Sequence, residues 1–226
     1  MAISIVFETH SSTEDNENGI ATGWLPGRLS GTGRLRATEL GVRRRADGIA
    51  AVFSSDLARS VETATIAFGG TSVPVLLDWR LRECDYGQLN GSSAAELHAH
   101  RARHIDTPYP GGESWQQAAD RVASFVADLP RRWSGQRVLL IGHVATRWGL
   151  EHLLLGAPLE DLAARDFAWQ PGWEYSAGDT ADDCTGPSGT VLTGMGGRRQ
   201  PWSRSRCRPA AGPCADPGVT SAADGC

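Results

Sequence analysis

The chain begins, after two residues, with the stretch ISIVFETH at residues 3–10. Four of its first five residues are large and apolar, and such a short apolar run is typical of a buried β-strand. The polar residues Glu8, Thr9 and His10 follow at its carboxyl end. Two later stretches have the same plan: IAAVFSSDLAR at residues 49–59 and RVLLIGH at residues 137–143. Each predicts a buried strand that ends in polar or reactive side chains.

Segments with helical spacing alternate with these strands. They cover residues 35–46, 57–68, 93–104, 113–133 and 145–155. A further strand is predicted at residues 73–77, and the aromatic-rich residues 167–175 are predicted to form an edge strand. This alternation predicts an α/β fold with a mostly parallel sheet. The polar loop at residues 11–30 is longer than a plain connection requires, which indicates a functional role.

The composition excludes several classes of protein. The 226 residues carry a formal net charge of −4, so we expect neither nucleic acid nor a membrane surface as a partner. No apolar run approaches the roughly 20 residues of a membrane-spanning helix, and we expect no signal peptide at the start. All 22 basic residues are arginines, which excludes lysine Schiff-base chemistry and a phosphate-binding loop that ends in lysine.

The chain divides near Tyr175 into a body and a tail. We expect residues 1–175 to form one domain of ordinary α/β size. Residues 176–226 are dominated by Gly, Pro, Ser, Arg and Asp, and four of the five cysteines lie there. With so few aliphatic residues this tail cannot bury enough apolar surface to fold, and we expect it to be disordered. The body contains only Cys84, which favours a reduced, cytoplasmic protein.

Reactive side chains are expected to meet at one edge of the sheet. Ligands of open α/β sheets bind beyond the carboxyl ends of the strands. His10, Arg59 and His143 follow three such ends, with Arg59 lying one turn into a helix. An arginine fork matches a phosphate or carboxylate, and two imidazoles beside it suit metal binding or nucleophilic phosphoryl transfer. No metal-ligand spacing accompanies these three residues, so a metal site is the weaker interpretation.

Five segments of the body carry motifs, in this order: VFETHSST at residues 6–13, FSSDLARSVETA at 53–64, LRECDYGQLNG at 81–91, GGES at 111–114 and IGH at 141–143. In sequence and order they resemble the motifs of the histidine phosphatase (phosphoglycerate mutase-like) superfamily. The family patterns for the first three are R-H-G-E-S/T, S-S-D-L-x-R-A-x-x-T-A and L-x-E-x-x-F/Y-G-x-x-E/N-G. The resemblance covers residues 3–175 and implies a three-layer α/β/α sandwich.

The resemblance also implies a role for each matching residue. His10 would be the nucleophile that forms a phosphohistidine, and Arg59 would clamp the phosphoryl oxygens. His143 would donate a hydrogen bond to these oxygens as charge develops on them. Glu83 would protonate the leaving oxygen and then activate water, with Asp85 as the rival acid. The phosphate or the substrate would be contacted by residues of the loop after the first strand: Asn16, Thr22 and Gly23. No metal or other cofactor would be used.

The first motif departs from the family pattern. Thr9 stands where the pattern has an arginine, and Ser11 and Ser12 stand where it has Gly-Glu. Thr9 can bind phosphate through one hydroxyl hydrogen bond, but it carries no charge. Because a hydrogen bond to a charged group contributes roughly 1.5–3 kcal/mol, the loss could slow the reaction about 10- to 150-fold. Two arginines could compensate: Arg147, one helical turn after His143, and Arg82, beside Glu83.

These features predict a metal-independent phosphomonoester hydrolase that acts through a phosphohistidine on a small phosphorylated metabolite. Mutases of the family tend to carry longer insertions between the acid and the second histidine. The interval from Glu83 to His143 is short, so hydrolysis is favoured over a phosphoglycerate mutase-type transfer. A third alternative is a phosphate-ligand binder without catalysis, because Thr9 removes a charged clamp.

Overall fold

The computed structural model describes residues 1–178. The strands in this range are β1 (Ile3–Thr9), β2 (Ile20–Ala21), β3 (Ala51–Ser54), β4 (Val75–Leu77), β5 (Ser92–Ser93), β6 (Arg137–Gly142) and β7 (Trp173–Ala177). The α-helices are α1 (Glu14–Glu17), α2 (Gly31–Arg44), α3 (Ala58–Phe68), α4 (Ala94–His100), α5 (Trp115–Asp128), α6 (Pro130–Trp133), α7 (Val144–Leu155) and α8 (Leu159–Ala164). Short 3-10 helices lie at Trp79–Leu81, Gly87–Leu89 and Arg101–His104. Among these described helices, none has the length and apolar character needed to cross a membrane.

The centre of the molecule is a five-stranded sheet in the order β4-β3-β6-β1-β7. Strands β4, β3, β6 and β1 run parallel, and β7 pairs antiparallel with β1 at the edge. Ser54 of β3 and Glu8 of β1 both lie beside Ile141 of β6. The carboxyl ends of β3, β6 and β1 therefore lie side by side, as the sequence predicts.

Helices cover both faces of this sheet and make it the middle of three layers. On one face, Phe7 and Leu140 pack with Val122 and Phe125 of α5 and with Leu150 of α7. On the other face, side chains of the same strands pack with α2 and α3: Val6, Leu139 and Ile141 with Leu40, Ala64 and Phe68. Since successive strand residues point to opposite faces, one apolar run supplies both cores. The fold is the α/β sandwich that the sequence predicts.

A third apolar cluster lies beside the sandwich. It joins Tyr86, Leu97, Tyr109 and Trp115 to Trp148 of α7. The rings of Trp115 and Trp148 lie 4.4 Å apart between centroids. This cluster fixes the segment from residue 84 to residue 115 against the body.

Several element boundaries differ from the sequence predictions. Helix α2 begins at Gly31 rather than at residue 35, because the Ser30 hydroxyl accepts the Gly33 N–H and caps the helix there. The helix predicted at residues 113–133 is divided at Pro130, which cannot donate the helical hydrogen bond. The edge strand is Trp173–Ala177, so the first two residues of the predicted tail belong to the sheet. The rest of the tail prediction, from residue 179, lies outside the described residues.

Helix α2 lies very close to the loop after β1. A Cβ atom built on Gly33 would lie 1.9 Å from the carbonyl oxygen of Ser12. The same carbonyl accepts a hydrogen bond from the Ser30 N–H at 3.1 Å. Only glycine permits this approach, which fixes the backbone two residues after His10 against the start of α2.

Candidate active site

Three side chains from separate segments meet at the carboxyl edge of the sheet. Nε of Arg59 lies 3.3 Å from Nε2 of His10, and Nη2 of Arg59 lies 3.3 Å from Nδ1 of His143. The two imidazole rings lie 4.9 Å apart between centroids. The structure thus brings together the three residues that the sequence pattern selected without any family comparison.

The protonation state of His10 follows from its partners. Nδ1 lies 2.8 Å from the carbonyl oxygen of Ser11, which can only accept, so the ring proton is on Nδ1. Nε2 therefore carries a lone pair, and the Nε–H of Arg59 donates to it. Burial, reinforced by the Arg59 charge, lowers the pKa of His10 from 6.5 to about 3. The imidazole is neutral at physiological pH and has the form that a nucleophile requires.

Arg59 is held by backbone carbonyls as well as by the histidines. It is 2 % exposed, and its Nη2 and Nη1 atoms donate to the carbonyls of Gly23 and Leu25 at 2.8 and 3.2 Å. Thr63 lies one turn further along α3; its hydroxyl donates to the Arg59 carbonyl and accepts the Ser11 N–H. The start of α3 is therefore tied to the loop that carries His10.

His143 directly follows the last residue of β6 and is buried. Its Nε2 lies 3.1 Å from the Ser60 hydroxyl, and its backbone N–H donates to the Thr146 hydroxyl. Burial lowers the pKa of His143 well below the usual value, and the Arg59 charge and His10 act in the same direction. The ring is neutral and has polar partners at both nitrogens.

Glu83 lies in the loop between the first two 3-10 helices, close to the amino end of α7. Its Oε1 atom accepts the N–H groups of Cys84 and Ala145 at 2.9 and 3.1 Å. Burial is the largest influence and raises the pKa of Glu83, although these hydrogen bonds and the Arg59 charge oppose it. A carboxyl group with a raised pKa retains its proton to a higher pH, which suits a general acid. Asp85, the rival acid, instead accepts hydrogen bonds from Gly87 and Asn90 of its own loop.

Arg121 of α5 holds the backbone that carries Glu83. It donates to the carbonyls of Arg80, Arg82 and Glu83 at 2.7–2.9 Å and forms an ion pair with Glu113 at 2.5 Å. None of the sequence motifs described above includes this residue. The signal was present, because Arg121 falls among the apolar positions of an amphipathic helix, where a charged side chain indicates a buried pair.

Two clefts open onto this group of residues. The α2 cleft has a volume of about 320 Å³, and Thr9, Ser12, Arg36 and Arg43 line it. The α4 cleft has a volume of about 300 Å³, and its lining includes Thr22, Gly23, Arg59, Leu97 and Trp115. Both clefts share five lining residues: His10, Asn16, Glu83, Val144 and Phe167. A ligand at the shared end therefore reaches His10 and Glu83 together.

The predicted binding residues occupy the walls of these clefts. Asn16 borders both of them, and its side-chain oxygen accepts the Thr13 N–H at the start of α1. The Thr22 hydroxyl donates to Asp15 at 2.8 Å. Gly23 contributes its carbonyl to Arg59 and has a φ angle of 56°. Thr9 lines the α2 cleft only.

The structure does not bring Arg147 or Arg82 to this site. Arg147 donates to Glu151 at 2.6 Å, and its guanidinium lies 4.4 Å from the Trp173 ring centroid, in a separate cavity. Arg82 pairs with Asp56 at 2.6 Å. The expectation that Arg147 binds phosphate is corrected, because its carboxylate and aromatic partners draw it toward the edge of the sheet. Neither arginine lines the α2 cleft or the α4 cleft.

Two arginines that the sequence analysis overlooked line the α2 cleft. Arg36 donates to the Ser12 hydroxyl at 2.8 Å, and Arg43 pairs with Glu8 at 3.3 Å. Nε of Arg43 is buried and has no hydrogen-bond partner within the described part of the chain. Glu8 also pairs with Arg44 at 2.8 Å, so two guanidiniums balance its charge. Strand alternation predicts that the side chains of Glu8 and Thr9 point in opposite directions. Both nevertheless border this cleft, because the cleft lies across the end of β1.

Within residues 1–178, no group of three or more His, Cys, Asp or Glu side chains is arranged so that it could hold a metal ion. The polar groups of the site are instead a guanidinium, two neutral imidazoles and a carboxyl group. Together they can bind an oxyanion, attack it and transfer a proton.

Comparison with protein families agrees with this geometry. The model of the histidine phosphatase superfamily (branch 1) matches residues 5–171. The chain belongs to this superfamily. Two curated relatives of this superfamily member are mutases by name. A 2,3-bisphosphoglycerate-dependent phosphoglycerate mutase of Methylobacterium radiotolerans is 35 % identical over 71 % of this chain and 84 % of the relative. A probable phosphoglycerate mutase of Salmonella typhi is 31 % identical over 69 % and 76 %.

Solved structures of the superfamily share the fold. YhfR of Bacillus stearothermophilus is 28 % identical, with a TM-score of 0.68 over 75 % of this chain and 88 % of that one. A mycobacterial glucosyl-3-phosphoglycerate phosphatase, solved in complex with VO3, is also 28 % identical. Its TM-score is 0.64 over 71 % of this chain and 86 % of that one. These relatives support phosphatase or mutase activity for this member of the superfamily.

Proposed function

We propose that this histidine phosphatase is a metal-independent phosphomonoester hydrolase that acts through a phosphohistidine on a small phosphorylated metabolite. The observation that carries the proposal is the state of His10. The Ser11 carbonyl holds the ring proton on Nδ1, and the lone pair of Nε2 lies beside the Arg59 guanidinium. A nucleophile and an oxyanion-binding cation are thus adjacent, with Glu83 lining both clefts that border them.

The first half-reaction transfers the phosphoryl group to His10. A phosphate oxygen replaces Nε2 as the acceptor of the Arg59 Nε–H, which frees the lone pair. Nε2 then attacks phosphorus, and the bond from phosphorus to the alcohol oxygen breaks. Protonated Glu83 gives its proton to that oxygen, and the alcohol leaves. Arg59 and His143 stabilise the charge on the remaining phosphoryl oxygens.

The second half-reaction transfers the phosphoryl group to water. Glu83, now a carboxylate, takes a proton from a water molecule whose oxygen attacks phosphorus. The bond between phosphorus and Nε2 breaks, and inorganic phosphate leaves. His10 is again neutral and Glu83 is again protonated, so the cycle closes without a further reactant.

Two other activities are alternatives on the same residues. A mutase would pass the phosphoryl group from His10 to a second substrate hydroxyl rather than to water, and the names of two curated relatives favour this activity. A binder without catalysis would follow if the uncharged Thr9 left the phosphoryl group too weakly held. The phosphatase among the similar structures and the short interval between Glu83 and His143 favour hydrolysis.

The test is turnover of p-nitrophenyl phosphate by the purified full chain and by His10→Ala. We expect the wild-type protein to release phosphate and His10→Ala to lose activity by more than 1,000-fold, on the order of the loss when a catalytic nucleophile is removed. His100→Ala, which removes an imidazole from α4, serves as the matched control and should keep full activity. A ³²P-labelled substrate should leave an acid-labile label on the wild-type protein and on His100→Ala, but not on His10→Ala.

Each alternative predicts a different result. Transfer of label to phosphoglycerate in the presence of 2,3-bisphosphoglycerate, faster than phosphate release, would show a mutase. Binding of phosphate esters without turnover or label would show a binder. Full activity of His10→Ala would refute the nucleophile and with it the proposal.

We also place the reaction in the cytoplasm, because Cys84, the cysteine of the body, is a buried free thiol.

A further inference from the structure

Ser60 contacts the one imidazole nitrogen of His143 that faces away from Arg59. The Ser60 hydroxyl lies 3.1 Å from Nε2 of His143, and both residues are buried. Ser60 immediately follows Arg59 on α3, so the helix that supplies the oxyanion-binding cation also supplies this hydroxyl. The family pattern given above has alanine at this position, so neither the resemblance nor the motifs assign Ser60 a role.

The partners of His143 in the structure fix its tautomer. A guanidinium can only donate, so Nδ1 of His143 accepts from Nη2 of Arg59 at 3.3 Å. The ring is neutral, and its single proton is therefore on Nε2. Nε2 donates this proton to the Ser60 hydroxyl oxygen. In this arrangement the lone pair on Nδ1 of His143 points toward Arg59.

A bound oxyanion requires the other tautomer of His143. A phosphoryl oxygen accepts hydrogen bonds, so His143 can stabilise it only with a proton on Nδ1. The ring must then give the proton at Nε2 to solvent and take one from solvent at Nδ1, through the α2 cleft that His143 lines, and it is neutral before and after this exchange. Nε2 becomes an acceptor, and a buried acceptor needs a donor.

We propose that Ser60 is a positioning residue that stabilises both tautomers of His143, accepting from Nε2 while Arg59 donates to Nδ1, and donating to Nε2 when an oxyanion is bound. A hydroxyl group can do both by rotating about its C–O bond, whereas a backbone carbonyl or an N–H group could satisfy only one tautomer. His10 shows the contrast, because the Ser11 carbonyl fixes its proton on Nδ1 permanently. This inference rests on the proposed function, in which His143 meets a phosphoryl oxygen.

The direct test is nitrogen-15 NMR of the histidine side chains in the wild-type full chain, with inorganic phosphate as the probe. His143 should carry its proton on Nε2 in the free protein and on Nδ1 when the site is saturated with phosphate. A proton on Nδ1 in both states, or on Nε2 in both, would overturn the inference. This measurement needs no turnover, so it remains decisive if the protein proves to bind phosphate without hydrolysing it.

Variants test the consequence for catalysis. Ser60→Ala should lower kcat by about 5- to 30-fold, which corresponds to loss of one buried hydrogen bond in the transition state, and it should change KM less. Ser60→Thr, which keeps the hydroxyl, should recover most of the loss. Thr65→Ala removes an exposed hydroxyl from the same helix and serves as the control. Ser60→Ala with wild-type kcat would overturn the inference; if Ser60→Ala fails to fold, the wild-type NMR comparison decides.

Discussion

Arg59 donates a hydrogen bond to His10 from its Nε atom across 3.3 Å, so the guanidinium that binds oxyanions in our proposal also holds the nucleophile. This contact and the burial of the ring keep the imidazole of His10 neutral. The relationship has consequences for stability as well as for catalysis, because the folded protein resists protonation of a side chain that the unfolded chain protonates easily.

The pKa of His10 predicts how stability falls in acid. It is about 3 in the folded protein and 6.5 for an unperturbed histidine. Below pH 6.5 the unfolded chain takes up a proton that the folded protein refuses, so stability is complete above pH 6.5 and falls progressively toward pH 3. His143, whose pKa is also lowered, contributes in the same direction. Between pH 7.5 and pH 4.5, the Tm of His10→Asn should therefore fall less than the Tm of the wild-type protein.

Thermal denaturation at several pH values measures this difference. His100→Asn is the control and should follow the wild-type curve. Parallel curves for the wild-type protein and His10→Asn would contradict the lowered pKa of His10.

Glu83 should show the opposite dependence on pH. Its pKa is raised by burial, so its contribution to stability is complete below about pH 4.5 and is lost as the pH rises through the folded-state value. Glu83→Gln keeps the hydrogen-bonded oxygen but cannot ionise. The Tm of Glu83→Gln should therefore be higher than the Tm of the wild-type protein at pH 8, but not at pH 4.

The same variant should separate substrates by leaving group. Hydrolysis of an alkyl phosphate needs a proton on the leaving oxygen, so Glu83→Gln should slow it about 100- to 10,000-fold. An acidic phenol such as p-nitrophenol leaves with less help, and the loss should be smaller. Asp85→Asn provides the comparison for the rival acid. Equal losses on both substrates would count against Glu83 as the proton donor.

Thr9 offers a gain-of-function prediction. Arg147 and Arg82 are engaged with carboxylates and aromatic rings away from the site. Thr9→Arg should therefore add a charged hydrogen bond to the phosphoryl group and raise kcat/KM for p-nitrophenyl phosphate about 10- to 150-fold. Thr9→Gln, which adds length without charge, is the control and should not produce this gain.

Arg36 is the competing explanation if Thr9→Arg has no effect. It lines the α2 cleft and is tied to the uncharged Ser12 hydroxyl. A loss of kcat/KM in Arg36→Gln, combined with no gain in Thr9→Arg, would show that α2 supplies the second cation. Arg34→Gln controls for surface charge, because it removes an exposed arginine of α2 that pairs with Glu62 of α3.

Arg121 should be essential for the loop that carries Glu83. Its guanidinium joins three carbonyls and the Glu113 carboxylate, and it is 7 % exposed. Arg121→Met leaves the Glu113 charge, whose side chain is only 16 % exposed, without its partner and breaks three hydrogen bonds to backbone carbonyls, so it should cost about 3–5 kcal/mol in the free energy of unfolding. Urea denaturation measures this cost. A change below about 1 kcal/mol, the value of an exposed ion pair, would contradict the buried network.

The sequence was sufficient to predict the sheet and the three residues that meet at its edge. Parallel strands place their carboxyl ends together, so apolar runs that end in His10 and His143 already specify where the imidazoles lie. Helix α3 begins within four residues of β3, which leaves Arg59 little choice of position. Local pattern and global fold agree at these segments.

The sequence was insufficient wherever a contact depends on distant surfaces. Arg147 lies one helical turn after His143, but the Trp173 ring of β7 and the Glu151 carboxylate draw its side chain elsewhere. Arg36 and Arg43 have the spacing of a solvated helix face, so nothing local marks them as cleft residues. Their role follows from the packing of α2 on the loop after β1, which is a tertiary contact.

The contact between Gly33 and the Ser12 carbonyl gives that glycine an unexpected importance. Position 33 lines neither the α2 cleft nor the α4 cleft, so it belongs to the scaffold. Any residue with a side chain at position 33 must displace the Ser12 peptide, two residues after His10. We therefore expect substitutions at this position to reduce turnover before they reduce the stability of the fold. A genetic screen for loss of turnover should therefore select Gly33 together with the residues of the site. The reason would be steric, because only glycine leaves room for the Ser12 carbonyl.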